Sequence, residues 1–199
     1  IGDNMKEIGI VTKNAHKIVE MKKVLEPLVY QVLTLFDFEE FPEIIEDGTT
    51  FKENALKKAK ELSLYLNKDV ISDDSGLEVF SLNNEPGVYS ARYSGENKSY
   101  EDNNDLLLKN MENILDRRAR FVTTICLYRI GEEPMYFEDY LNGEISRFRK
   151  GENGFGYDPI FIIEDGVTHL AEVSLEMKNE ISHRGKCLKK LITYLINNK

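Results

Sequence analysis

The first 72 residues alternate apolar runs with amphipathic stretches. Apolar runs at residues 8–12, 30–35 and 70–72 predict three buried strands. Between the first two, Ile18, Met21 and Leu25 recur at helical spacing. A second helix is predicted to begin after Thr50, with Glu53 completing a capping box. Its apolar stripe consists of Phe51, Ala55, Ala59, Leu62 and Leu66.

The second half has a different pattern. Residues 101–111 predict a helix, and apolar runs predict strands at 120–130, 135–141, 144–149 and 159–163. A last helix is predicted over 182–197, with Leu188, Leu191 and Leu195 on its buried face. Turns are predicted at residues 85–87, and residues 116–118 are interpreted as a surface connection. This order predicts a mixed α/β fold: an elongated twisted sheet with flanking helices, forming one domain over residues 1–199.

Composition narrows the class of protein. The 199 residues carry a formal net charge of −9, which argues against nucleic acid or an anionic membrane as a partner. No apolar run approaches the roughly 20 residues of a membrane span, and Cys126 and Cys187 are interpreted as buried free thiols. Met5 is interpreted as the natural start, preceded by four residues left from cloning. A cytoplasmic protein is the expectation.

The most informative motif is Asp73-Asp74-Ser75-Gly76, between two apolar runs. Its position predicts that the carboxylates lie where a strand ends and the chain turns. Asp, Ser and Gly favour turns, so a simple turn is one interpretation. The other is a metal or catalytic site, because two adjacent carboxylates near a core repel each other and are costly to desolvate.

A second motif, Thr12-Lys13-Asn14-Ala15-His16-Lys17, lies between a predicted strand and the start of a helix. Helix N-termini offer free N–H groups and the positive end of the dipole, which suit phosphate. The glycines of a Walker A loop or a dinucleotide fingerprint are missing. A polar helix cap with a solvated lysine is therefore the alternative.

Two further groups in the second half could bind a nucleotide. Lys178, His183 and Arg184 form a basic cluster beside the last helix, suited to an anion or the edge of a base. The loop Gly154-Phe155-Gly156-Tyr157-Asp158-Pro159 combines glycines with aromatic rings that could stack on a base. The alternatives are a capping or core role for His183 and a glycine-rich hairpin with buried aromatics.

Other residues are less informative. His16 and His169 lack partners at metal-ligand spacing and are interpreted as structural or surface residues. Ser75 has no adjacent histidine for a hydrolase triad. The acidic segment at 37–47 is interpreted as a solvated face, from which Glu46 is the candidate metal ligand.

Six motifs occur in an order that resembles the inosine triphosphate pyrophosphatase family, also called XTP/dITP diphosphatases. The motifs are Thr12-x-Asn14-x-x-Lys17, Phe51-x-Glu53-Asn54-Ala55, Asp73-Asp74-Ser75-Gly76-Leu77, Gly87-Val88-Tyr89-Ser90-Ala91-Arg92-Tyr93-Ser94-Gly95, Gly154-Phe155-Gly156-Tyr157-Asp158-Pro159 and Ser182-His183-Arg184. Each is weak alone, but together they span nearly the whole chain.

The resemblance implies two α/β lobes with the active site in the cleft between them, and a homodimer. It implies hydrolysis of ITP, dITP and XTP between the α and β phosphates, giving the monophosphate and pyrophosphate, with Mg²⁺ as cofactor. It also implies that the enzyme clears these nucleotides before polymerases use them.

The resemblance further implies residue roles. Asp74 is implied to be the general base and a metal ligand, with Glu46 as a second metal ligand; Ser75 would contact the substrate, and Lys58 would reach a phosphate. The residues implied to hold the triphosphate are Thr12, Lys13, Asn14, Ala15, His16 and Lys17. Those implied to form the base pocket and its surroundings are Phe155, Gly156, Tyr157, Asp158, Lys178, His183 and Arg184.

The chain departs from the family pattern at two positions. Lys13 stands where the family often has glycine, and Ile45 stands where many members have the first of two glutamates. Two other functions stay open: a pyrophosphatase of the same fold acting on other modified nucleotides, such as pyrimidine triphosphates, and a nucleotide-binding module without turnover.

Overall fold

A computed structural model describes residues 6–28, 30–38, 40 and 43–198. The predicted start at Met5, and the residues before it, lie outside these ranges. The strands are β1 (Lys6–Val11), β2 (Tyr30–Thr34), β3 (Val70–Val79), β4 (Glu85–Pro86), β5 (Arg118–Tyr128), β6 (Met135–Ile145) and β7 (Phe161–Ile162). The α-helices are α1 (Ala15–Leu25), α2 (Phe51–Leu66), α3 (Tyr100–Asn110), α4 (Leu175–Ile181) and α5 (His183–Asn197). Among the described residues, no helix is long and apolar enough to cross a membrane.

Within the described ranges, seven strands form one sheet in the order β2-β1-β3-β5-β6-β7, with β4 paired to β3. β1 pairs in parallel with both β2 and β3, whereas β4 pairs antiparallel with β3 and β7 antiparallel with β6. The predicted mixed α/β fold with flanking helices is confirmed.

The chain divides into two compact units. The first comprises residues 1–74, 124–138 and 187–199, and the second comprises residues 75–123 and 139–186. In the first unit, apolar residues of β1, β3 and β5 pack with those of α1, α2 and α5 in two clusters. In the second unit, one cluster joins residues of α3 to those of β3, β5, β6 and β7. The single domain over residues 1–199 stays a prediction.

Several predicted elements are confirmed closely. Thr50 caps α2, its hydroxyl oxygen accepting from the Glu53 N–H at 3.1 Å. The Glu53 carboxylate accepts in turn from the N–H of Thr49 at 2.8 Å, one residue before the predicted partner. Leu188, Leu191 and Leu195 of α5 are buried, and so are Cys126 and Cys187, neither of which is in a disulfide among the described residues.

Two predictions about the strands and turns were wrong. Asp73 to Gly76 do not form a turn, because β3 runs without interruption from Val70 to Val79. Residues 135–141 and 144–149 are not two strands, because β6 continues through Gly143 to Ile145. A Cβ at Gly143 would lie 2.2 Å from the Ile162 carbonyl oxygen, so this glycine permits the close approach of β7.

The other differences lie near element ends. The predicted strand at 159–163 is a short 3₁₀ turn followed by the two-residue β7, and α4 precedes the last helix. Arg117 is no simple surface residue, since its guanidinium donates to the carbonyls of Ile145, Met111, Ile114 and Ser146. It thereby satisfies carbonyls beyond the end of α3 and at the end of β6.

Candidate functional site

In the first unit, the carboxyl end of β1 lies beside the middle of β3, which brings the Thr12–Lys17 motif next to the acidic motif. The parallel register places Val11, the last residue of β1, opposite Ser72, so the chain leaves β1 beside Asp73, which lies within β3. β1 lies between β2 and β3, so the chain turns to opposite sides at this point. In open α/β sheets, ligands bind beyond the carboxyl ends of strands at such a switch point.

The loop after β1 is shaped by its own polar side chains. The Asn14 N–H donates to the Thr12 hydroxyl oxygen at 3.0 Å, and the Asn14 side-chain oxygen accepts from the His16 N–H at 3.0 Å. Asn14 is therefore the N-cap of α1. Lys13, Ala15 and His16 are exposed. Lys17, the last residue of this motif, lies next to the acidic motif and pairs with Asp73.

Lys17 and Lys58 reach the acidic motif from α1 and α2. The Lys17 ammonium lies 3.1 Å from the Asp73 carboxylate, whose side chain is fully buried. The Lys58 ammonium donates to the Asp73 carbonyl and pairs with the Glu46 carboxylate at 2.8 Å. The role of Asp73, which the sequence left open, thus includes holding Lys17.

Asn54 connects the acidic segment to Asp74. Its amide nitrogen donates to the Asp74 carboxylate at 3.2 Å, and its side-chain oxygen accepts from the Gly48 N–H at 2.7 Å. A Cβ at Gly48 would lie 2.6 Å from that same oxygen, so only glycine fits there without movement. Asn54 lies in the second of the six family motifs, but its pattern predicts no role for it. Asn54 is buried, and its two hydrogen bonds identify it as a residue that orients Asp74.

Charge in this cluster is unbalanced. Three carboxylates, those of Glu46, Asp73 and Asp74, face two ammonium groups, which leaves one net negative charge. Burial raises the pKa of Asp74 to about 6; the lysines oppose this rise and the charge of Glu46 adds to it. For Lys58, burial works against the charged form, but the neighbouring carboxylates outweigh it and raise its pKa.

The carboxylates of this cluster fit Mg²⁺ only if substrate phosphates and water supply the remaining ligands of the ion. Among the described residues, no three His, Cys, Asp or Glu side chains form a complete metal cluster. Mg²⁺ in nucleotide enzymes is commonly held by one or two carboxylates, with substrate phosphates and water completing its octahedron. Glu46 and Asp74 meet that requirement; burial is the main cause of the raised pKa of Asp74, and the charge of Glu46 adds to it.

This raised pKa predicts how the stability of the metal-free protein depends on pH. A group that binds its proton more tightly in the folded state costs stability as the pH rises from about 4 to about 6. Asp74→Asn removes this cost. In the presence of EDTA at pH 7, we expect the variant to unfold at a higher urea concentration than the parent. Its free energy of unfolding should be higher by on the order of 1–3 kcal/mol. The difference in the free energy of unfolding should shrink towards pH 4. A variant less stable than the parent at pH 7 would contradict the raised pKa of Asp74.

The second unit assembles the other predicted residues around Phe155. The Lys178 ammonium lies 4.4 Å from the centre of the Phe155 ring, and the Arg184 guanidinium lies 5.7 Å from it. Lys178 also donates to the buried Asp158 carboxylate at 2.7 Å. The same carboxylate accepts from the Phe155 N–H at 3.1 Å, so Asp158 orients both the ring and the lysine.

Ser75 lies within this second group. The Arg184 guanidinium donates to the Ser75 hydroxyl at 3.2 Å, and that hydroxyl lies 2.8 Å from the hydroxyl of Thr123. Arg184 is thereby held from two sides, by Ser75 and by the face of Phe155. The sequence did not identify Thr123, because nothing in its local pattern marks a residue in the middle of a strand.

Two other predicted substrate-binding residues are also buried. The Tyr157 hydroxyl donates to the Ser90 carbonyl at 2.6 Å, and burial raises the pKa of this tyrosine. His183 is buried and its ring stacks on that of Phe121, with 4.8 Å between the ring centres. Lys178 and Arg184 are equally buried, so the contact of Tyr157 and His183 with the substrate stays a prediction.

His169 also occupies a buried position. Its ring lies 2.8 Å from the Ser146 hydroxyl and 3.3 Å from the Glu172 carboxylate. Ser146 is only 2% exposed and its hydroxyl also accepts from the Phe148 N–H, so the group has no access for a substrate. The interpretation of His169 as structural agrees with this position.

An α/β sheet with cations and a buried carboxylate at its switch point, together with an aromatic loop flanked by Lys and Arg, defines a nucleotide-binding protein. Residues 8–194 match the model of the Ham1 family. A Bacillus licheniformis protein named dITP/XTP pyrophosphatase is 47% identical over 96% of this chain and 98% of its own length. A Staphylococcus aureus protein of the same name is 44% identical over 98% and 99% of the two chains. The chain belongs to the Ham1 family.

Solved structures agree with this assignment. The Staphylococcus aureus Ham1 protein superposes with a TM-score of 0.88 at 44% identity, covering 98% of this chain and all of its own. A HAM1 protein from Coxiella burnetii gives a TM-score of 0.90 at 36% identity, covering 97% of this chain and all of its own. The recognised family and the predicted fold are both confirmed.

Proposed function

We infer that this chain is a nucleoside-triphosphate pyrophosphatase that hydrolyses dITP, XTP and ITP to the monophosphate and pyrophosphate. The observation that carries the inference is the buried Asp74 carboxyl beside two lysines, within β3 and next to the carboxyl end of β1. The names of relatives that match nearly the full chain support the substrate class.

The first unit supplies the groups for the phosphates and the attacking water. Lys17 and Lys58 bind phosphate oxygens as charged donors. Asp74 orients a water molecule towards the α-phosphorus and takes its proton, while pyrophosphate leaves with the electrons of the broken P–O bond. A base with a pKa of about 6 is ionised at pH 7 yet more basic than an ordinary aspartate, which suits proton transfer.

Glu46 and Asp74 are the residues that would hold Mg²⁺. When bound, the ion neutralises phosphate charge and helps to orient the attacking water. Binding of Mg²⁺ together with the substrate is consistent with the charge of the cluster, because a triphosphate of about four negative charges would otherwise meet a net negative site. Mg²⁺ as the physiological metal stays a proposal.

The second unit supplies the groups for the base. Phe155 offers an aromatic face, and Lys178 and Arg184 carry only hydrogen-bond donors near it. Donors suit the 6-oxo group of hypoxanthine and xanthine, whereas the 6-amino group of adenine would leave them unpaired. Tyr157 and His183 are further residues that we propose for this base pocket.

This pocket predicts discrimination against ATP. An unpaired buried donor costs roughly 1–3 kcal/mol, so kcat/KM for ATP should be at least about tenfold below that for ITP. A panel of ITP, XTP, GTP, ATP and dUTP measures this directly. GTP also has the 6-oxo group and tests whether the 2-amino group is excluded; dUTP tests a pyrimidine substrate. Equal efficiency with ATP and ITP would contradict the proposed base recognition.

We also propose that the protein is a homodimer in the cytoplasm and does not act on nucleic acid. The family resemblance and the acidic net charge of −9 support these proposals. Light scattering coupled to size-exclusion chromatography tests the dimer.

A further inference from the structure

Helix α3 contacts the loop that carries Phe155 at two adjacent positions. The Asn104 side-chain amide donates to the Gly156 carbonyl at 3.0 Å. Tyr100, one turn earlier on the same helix, places its ring 6.1 Å from the Phe155 ring. Residues four apart share one face of a helix, so this face of α3 supports both the loop backbone and the aromatic ring.

The loop needs such support because of its glycines. Gly154 and Gly156 have φ angles of +73° and +62°, a region that glycine enters without strain. The same freedom leaves the backbone around Phe155 weakly fixed by its own sequence. Asp158 fixes the Phe155 N–H on one side, and the bond from Asn104 to Gly156 fixes the other.

Asn104 is an unfavourable choice if its role is only to stabilise the fold. It is 2% exposed, and among the described residues its side-chain oxygen has no hydrogen-bond partner. An unpaired buried acceptor lowers stability, so leucine, with similar volume, would lose one bond but also remove that cost. Polar residues kept at such positions are typical of functional sites.

The neighbouring Asn103 provides a matched comparison. It lies on the same helix and is also 2% exposed. Its side-chain oxygen accepts from the N–H and hydroxyl of Ser94, and its amide donates to the Ala91 carbonyl. Asn103 therefore makes more bonds than Asn104, and none of these bonds involves the loop around Phe155.

We propose that Asn104 and Tyr100 are positioning residues that set base specificity by holding Gly156 and Phe155 in place. The proposal rests on the proposed function, in which Phe155 contacts the purine. Neither residue touches the phosphates or Asp74 in this account, so their effect should be confined to recognition of the base.

The test replaces Asn104 by leucine and measures kcat and KM for ITP and ATP. Loss of one neutral hydrogen bond predicts a roughly three- to tenfold lower ratio of kcat/KM for ITP over ATP. The change should arise in KM for ITP, with kcat nearly constant. Inhibition by inorganic triphosphate, which has no base, should be the same in both proteins.

Matched variants separate positioning from general stability. Asn103→Leu should lower the melting temperature more than Asn104→Leu but keep the wild-type ratio. Tyr100→Ala should lower the ratio of kcat/KM for ITP over ATP. Tyr100→Phe, which keeps the ring, should have the wild-type ratio. The Tyr100 side chain is 45% exposed, so this pair carries the test even if Asn104→Leu does not fold.

The inference is overturned if Asn104→Leu and Tyr100→Ala both keep the wild-type ratio, or if Asn103→Leu lowers it equally. A wild-type protein that releases pyrophosphate from ITP without preferring it to ATP contradicts the proposed base recognition, and the inference fails with it. The wild-type measurement thus distinguishes the two failures before any variant is made.

Discussion

Asp74→Asn is expected to lower kcat for ITP by about 10²-fold or more while the protein stays folded. The substitution keeps the size of the side chain, and an amide can still pair with Asn54, which contacts Asp74 at 3.2 Å. It removes the carboxylate that accepts the proton of the attacking water. Steady-state pyrophosphate release, with circular dichroism as the check on folding, measures the effect.

Asp47→Asn is the matched control for this variant. Asp47 lies in the same acidic region but is exposed and pairs with Lys57 at 2.9 Å. It should keep near-normal turnover, because its carboxylate pairs with Lys57 and not with the lysines of the Asp74 cluster. Normal turnover in Asp74→Asn would remove Asp74 as the general base.

Lys17→Ala should lower kcat/KM for every triphosphate by roughly 10- to 100-fold. A charged donor to phosphate contributes about 1.5–3 kcal/mol, and all the substrates share their phosphates. The variant also leaves the buried Asp73 carboxylate without the lysine 3.1 Å away, so some loss of thermal stability is expected. Kinetics with ITP, GTP and ATP below the melting temperature measure the effect.

Lys23→Ala removes the same charge from an exposed position in the last turn of α1 and should be close to wild type. Arg184→Ala should instead change the order of preference among the bases, since Arg184 lies beside Phe155. A changed preference between ITP and GTP in Lys17→Ala, with overall efficiency intact, would show that this loop recognises the base.

The sequence predicts the first unit well, because its signals are local. The stripe on α2 and its cap at Thr50 depend on residues within a few positions of each other. The same is true of the helix cap at Asn14. Placing Lys17 near Asp73 needs the parallel pairing of β1 with β3, which follows when β1 lies between β2 and β3 in a sheet built from strand-helix-strand units.

The sequence could not predict that β3 continues through Asp73 and Asp74. Locally, the pair of carboxylates followed by Ser75 and Gly76 is typical of a turn. The strand continues because Lys17, Asn54 and Lys58, up to 56 positions away, neutralise or bond the acidic residues and their backbone. Such long-range compensation leaves no mark in the local pattern.

The same reason explains what was missed in the second unit. Gly143 lies in the predicted break between strands at 135–141 and 144–149, but in the structure it permits the approach of Phe161 and Ile162 to β6. Asn104 lies in a helix of ordinary composition, and its contact with Gly156 is 52 positions away. By contrast, Phe155, Lys178 and Arg184 were found through their chemistry, and the structure brings them together.

The products formed from ITP test the central claim most directly. Incubation with this protein and Mg²⁺, followed by separation of nucleotides and assay of both phosphate species, should give IMP and pyrophosphate in equal amounts. Omitting the divalent cation should abolish turnover. Formation of IDP and orthophosphate, or no turnover of ITP at any metal concentration, would contradict the account.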